Sequence, residues 1–108
     1  MLRIAAAMSN AEYGVISAFR VGRPEESNDY SHNMLLGDLK AMGYNPIESI
    51  GEWNGIPEKS WFVPGIKPDI LMNLGTKYRQ EAVVYRAIGY EPRVVTMDWL
   101  QQLLGLLF

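Results

Sequence analysis

The sequence contains no cysteine and a single histidine, His32. Disulfides, zinc–thiolate centres and thiol catalysis are therefore excluded, and a histidine-rich metal cluster cannot form within one chain. Neither sign of charge dominates: 10 Lys+Arg stand against 12 Asp+Glu, a formal charge of −2. Binding a nucleic-acid backbone calls for a clustered positive face, whereas Arg79, Arg86 and Arg93 are spread out with acids between them. Long apolar runs are missing as well. The leading stretch "MLRIAAAMSNA" falls short of the about 7 to 15 apolar residues of a signal peptide. Nothing approaches the roughly 20 residues of a membrane span. The expectation is a cytoplasmic protein without nucleic-acid or membrane partners. P-loops, dinucleotide fingerprints and nucleophile elbows are also absent, the glycines of "GVISAFRVG" having the wrong spacing for any of them.

What is present suffices for a folded unit. The chain has 108 residues, 48% of them hydrophobic, which suits one compact domain with its own core. Residues 1–12 have no clear period and read as an arm, leaving 13–108 as the domain. "YGVISAF" (13–19) alternates as a strand with Val15, Ser17 and Phe19 on one face. A polar loop over 21–29 contains the solvated pair Glu25-Glu26. Ser27 or Asn28 then suits a helix N-cap. Leu35, Leu39 and Met42 form an apolar stripe along that helix, and Gly43 suits its left-handed stop. "PIESIGEW" (46–53) is a second strand, "NGIPE" a turn, and 60–64 a third strand. Pro68 suits the first turn of a second helix that buries Ile70, Leu71, Leu74 and Tyr78. Two more strands, 81–87 and 92–98, precede an apolar tail.

This order is that of an α+β, ferredoxin-like βαββαβ sandwich with an added strand. Helices cover one sheet face only. The alternation leaves Trp53 and either Trp61 or Phe62 for the other face, and together with the tail this implies assembly through that face.

Few residues stand out for chemistry. His32 suits a helix surface, and Met34, Met42 and Met72 fall at helical spacing and suit the core. Asp69 and Glu81 suit a helix start and a strand start. Glu58 has two readings. At a strand entrance a carboxylate keeps the edge soluble; at the rim of a site it holds a cationic ligand.

Four stretches bear on that choice: "VISAFR" at 15–20, "SNDYSHNMLLGDLKAMGY" at 27–44, "PEKSWFV" at 57–63 and "RQEAVVYR" at 79–86. In this order the sequence resembles the phage-encoded S-adenosylmethionine-cleaving enzymes, the anti-restriction hydrolases of T7-like phages now regarded as lyases. Those proteins have a Ser-Ala-Phe-Arg strand, an Asn/His-bearing helix, a Glu-Lys-Thr/Ser strand entrance and a Gln-Glu/Asp strand entrance ending in Val-Tyr-Lys/Arg. The resemblance covers about residues 13–86. The loop before Glu58 is shorter than the family's, and the segment after residue 86 does not visibly match. The punctuation is also similar to that of a bacterial family of uncharacterised small domains.

The resemblance implies a PII-like homotrimer with substrate held between subunits. It implies cleavage of S-adenosylmethionine to 5′-methylthioadenosine and homoserine lactone, with no metal or cofactor, as a phage defence against restriction. Glu58 is implied as the essential acid. Ser17, Ala18, Phe19, Arg20, Trp53, Ser60 and Gln80 are implied as substrate contacts, Arg20 near the substrate carboxylate or adenosine and Trp53 stacking on adenine. For Arg20 a surface salt bridge, and for Trp53 a place in the oligomer core, are the competing expectations. The alternative function is a PII-like small-ligand-binding regulatory module without turnover.

Overall fold

The computed structural model describes residues 11–97, the Trp53 side chain excepted. The expectations for residues 1–10, for the tail and for stacking by Trp53 lie outside the described residues. The described residues adopt an α+β fold: a five-stranded antiparallel sheet carrying two helices. The elements are β1 (Tyr13–Ile16), α1 (Glu25–Ala41), β2 (Ile47–Trp53), β3 (Ile56–Pro64), α2 (Pro68–Lys77), β4 (Ala82–Arg86) and β5 (Arg93–Thr96). Across the sheet the order is β2-β3-β1-β4-β5, so β3 lies between the strands that flank α1. No helix among the described residues is long and apolar enough to cross a membrane.

The punctuation explains most boundaries. Gly43, at φ +92°, ends α1 as expected, and Pro68 sits in the first turn of α2. Two boundaries need correction. Helix α1 begins at Glu25, with Pro24 at the N-cap and no side-chain cap. Glu25 and Glu26 therefore lie in its first turn, where acids complement the helix dipole, and Ser27 and Asn28 are not its caps. The β2–β3 turn is only Asn54-Gly55, with φ +52° and +78°. An Asn-Gly pair of this kind closes a two-residue hairpin whose twist matches that of the strands. β3 therefore starts at Ile56, and Glu58 lies within it, opposite Gly51, rather than at its entrance. Pro57 is tolerated there because β1 pairs with β3 only over Trp61–Pro64, leaving the early part of β3 one free edge.

The core forms between the helices and one sheet face. It joins Ile16, Ala18, Leu35, Leu39, Trp61, Val63, Ile66, Leu71, Leu74 and Val83. Gly14 lets α2 approach β1 closely, since a Cβ there would lie 2.8 Å from both Ile66 and Leu71 side-chain carbons. Trp61 belongs to this core, not to the opposite face. Its Nε1–H donates to the His32 carbonyl at 3.0 Å, and its ring stacks on the His32 ring at 4.4 Å. His32 is thus buried (4% exposed) rather than on the helix surface. Its Nε2 lies 2.9 Å from Glu48 Oε2. Phe62 points to the other face, as alternation requires, but it is 2% exposed and packs against Tyr13 at 4.8 Å. Met34 and Met42 are exposed, contrary to their helical spacing: the helix stripe narrows to Leu35 and Leu39, which already fill the space over β3. Met72 does pack against the core.

Candidate functional site

On the sheet face away from the helices lies a cleft of about 280 Å³. Three separate parts of the chain meet there. Ser17, Phe19 and Arg20 come from the segment following β1, Glu58 and Ser60 from β3, and Gln80 and Glu81 from the segment before β4. Gly51 contributes from β2 and Val94 from β5. Six of the eight residues singled out from the sequence therefore line one cavity. Ala18 does not: it is buried in the core on the helix side.

The segment 17–20 has left the ladder, since β1 pairs with its neighbours only through Ile16. Its backbone groups need other partners, and three buried side chains supply them. The Ser17 hydroxyl donates to the Lys59 carbonyl at 2.8 Å and accepts the Phe19 N–H at 3.0 Å. Asn28, on α1, accepts the Arg20 N–H at 3.0 Å and donates its amide N–H to the Arg20 carbonyl at 3.1 Å. Gln80 donates to the carbonyls of Phe19 and Tyr78, both at 3.2 Å. The Phe19 ring also meets the His32 ring edge-on, with centroids 5.7 Å apart. Ser17, Asn28 and Gln80 thus fix the course of the cleft wall, and Arg20 is held at its mouth by its backbone.

Electrostatically the cleft is mixed. Glu58 is half-buried, and its carboxyl is raised above the ordinary value of 4.5, first by loss of solvent and then by the neighbouring Glu81 carboxylate. A cation bound beside Glu58 would relieve both effects. Arg20 and Arg79 line the same cleft and add the opposite sign. The Ser60 hydroxyl donates to the Glu58 carbonyl at 3.2 Å, which braces the strand beside the acid. Among the described residues no group of three or more His, Cys, Asp or Glu is arranged to hold a metal ion. The Ser17 and Ser60 hydroxyls, which line the same cleft, both donate to backbone carbonyls.

The sequence reading missed Glu81, Arg79, Gly51 and Asn28. Glu81 stood one residue from Gln80 and read only as a strand start. Residues 22–83 match the family described as a protein of unknown function, DUF3293, and this is more than half of the 108 residues. The chain belongs to the DUF3293 family. The match runs from just before α1 into β4 and so takes in Gly51, Glu58, Ser60, Arg79, Gln80 and Glu81, but not Ser17 to Arg20. No curated protein matches the chain significantly.

Proposed function

We propose that this DUF3293 protein is an S-adenosylmethionine lyase of the phage anti-restriction type. It forms 5′-methylthioadenosine and homoserine lactone in the cytoplasm of the cell where it is made. The observation that carries the reading is the convergence of Ser17, Phe19, Arg20, Glu58, Ser60 and Gln80 on one cleft. They come from three stretches picked out by a resemblance that knew nothing of their spatial relation.

The chemistry suits a cleft of this kind. The substrate's own carboxylate attacks its γ-carbon as the C–S bond breaks, and the bonding pair returns to sulfur, which leaves as a neutral thioether. No proton has to move, and no group on the protein has to become covalent. What the protein must supply is the folded geometry, which brings nucleophile and carbon together, and exclusion of water. Glu58 holds the substrate ammonium. That charge persists through the reaction, whereas a carboxylate on the sulfonium would favour the ground state, whose charge is lost in the transition state. Arg20 lies at the cleft mouth, where it orients the substrate's adenosine end.

The ferredoxin-like reading and the homotrimer belong to the same proposal. The strand order β2-β3-β1-β4, with every neighbour antiparallel, supports the former, with β5 added at the edge. The latter is supported by size and surroundings. A volume of about 280 Å³ sits just below the ~300 Å³ lower end of small-molecule pockets. Ile47, Ile56 and Val94, 39%, 46% and 61% exposed, offer apolar surface on the same face for a second subunit to close it.

Incubating the purified protein with S-adenosylmethionine and separating the products by chromatography tests the reading. Methylthioadenosine with homoserine lactone supports it, and homoserine without lactone makes the protein a hydrolase. Binding without product leaves a PII-like ligand-binding module.

A further inference from the structure

Gly51 occupies the middle of β2, directly opposite Glu58. Its φ is not in the left-handed region, so the backbone there asks for no glycine. A glycine in a strand interior weakens the strand and often marks a bulge, a bend or a close approach by a ligand or another backbone, and the one-to-one pairing of β2 with β3 leaves no bulge here. Among the described residues no other backbone crowds Gly51: the atoms nearest to a Cβ built there are the Ser60 hydroxyl at 3.0 Å and the Glu58 carbonyl and Ser60 Cβ at 3.9 Å. That Cβ would project into the cleft that Gly51 lines. The missing methyl is therefore room beside Glu58.

Resting on the lyase reading above, we infer that Gly51 is a specificity-determining residue. Its bare backbone leaves the space in which the substrate's aminobutyryl chain folds back on itself. The chain must curl until its carboxylate reaches its own γ-carbon, a compact shape held by the ammonium at Glu58. A side chain at position 51 obstructs this shape more than an extended one. The adenosine half lies away from Glu58 and is indifferent to residue 51.

Gly51→Ala tests the inference by splitting the two halves of the substrate. In the variant, kcat/KM for S-adenosylmethionine falls at least 10-fold. The Kd for 5′-methylthioadenosine, which lacks the aminobutyryl chain, stays within 2-fold of wild type. The melting temperature is unchanged or raised, because alanine restricts the unfolded chain. The same comparison is made in a Ser60→Ala background, where the hydroxyl that the new methyl meets is gone. If the loss persists there, the methyl acts on the ligand; if it disappears, the methyl acted by displacing Ser60 and the inference is overturned. Equal weakening of both ligands, or an unchanged kcat/KM, also overturns it while leaving the lyase reading intact. A wild-type protein that releases no methylthioadenosine removes both.

Discussion

The carboxyl groups of Glu58, within β3, and Glu81, just before β4, share one cleft, and the second raises the proton affinity of the first. They are 23 positions apart in sequence and are brought together by the path of the chain through α2. If this pair exists to hold a cation, removing one charge should be felt in turnover far more than in folding. Glu58→Gln keeps the shape and deletes the charge. The charge-assisted contact it loses is worth about 1.5 to 3 kcal/mol, so turnover should fall about 10-fold to 100-fold. Stability at neutral pH should not fall, because the variant removes a half-buried charge that lies beside another acid. Methylthioadenosine release and melting temperature, measured on one preparation, check this. Normal turnover would return Glu58 to the role of an edge-protecting residue.

The same pair gives stability a pH dependence of definite sign. The folded protein holds the Glu58 proton more tightly than the unfolded chain does. Its contribution is therefore fully present below 4.5 and is lost as pH rises through the raised folded value. Two other carboxyls act in the opposite direction. Glu12 is lowered by the Tyr85 hydroxyl and by Lys67, and Asp38 by Lys77 and the Tyr78 hydroxyl. Their stabilisation is present above the ordinary carboxyl range and is lost as pH falls through their lowered values. Subtracting the wild-type melting curve from that of Glu58→Gln cancels both. The difference should be near zero below pH 4.5, grow in favour of the variant through the window above it, and then level off. A difference that shrinks as pH rises would contradict the paired-acid arrangement.

The order of elements was legible because local chemistry sets it: Gly43, Asn54-Gly55 and Pro68 act on their immediate neighbours. The helix start was misread because Ser27 and Asn28 look like caps, while Pro24, two residues before Glu26, took that position. Glu58 was misplaced because "NGIPE" read as one long turn, although Asn-Gly alone suffices. His32 and Trp61 could not be assigned to the core from periodicity, since their stacking depends on how α1 crosses β3. The cleft was out of reach of spacing arguments for a similar reason. Gln80 braces Phe19 across 61 positions and Ser17 braces Lys59 across 42. A resemblance named six of the cleft residues; it could not supply Gly51, whose importance lies in a side chain it does not have.

Asn28 gives a test of the wall itself. Both ends of its amide engage the backbone of one residue, Arg20. Asn28→Ala removes two hydrogen bonds and leaves a backbone donor and acceptor to find water, at a cost of about 1 to 3 kcal/mol. Asn28→Asp preserves the acceptor but turns a carboxylate oxygen toward the Arg20 carbonyl. It should therefore lose activity at least as severely as the alanine variant despite its closer shape. Kinetics and melting curves for the two variants check the ranking. An aspartate variant with wild-type kcat/KM would show that the position of Arg20 does not matter to the site.

Assembly yields the remaining prediction. Ile47, Ile56 and Val94 are exposed on the sheet face that carries the cleft, and apolar surface gathered beside a site marks an interaction face. A closed cyclic homotrimer through this face would place a neighbour against every cleft and leave no face uncovered. Sedimentation velocity at micromolar concentration should give about 37 kDa, three times the 12.2 kDa chain. Ile56→Lys places a charge on a side chain that is 46% exposed within the subunit and does not line the cleft, so it should cost the isolated fold little while breaking the contact. The expected result is a folded species of monomer mass whose S-adenosylmethionine turnover is lost. Its melting temperature should no longer rise with protein concentration, as that of an associating protein does. A wild-type monomer with full turnover would overturn the between-subunit site and require the cleft of a single chain to hold the whole substrate.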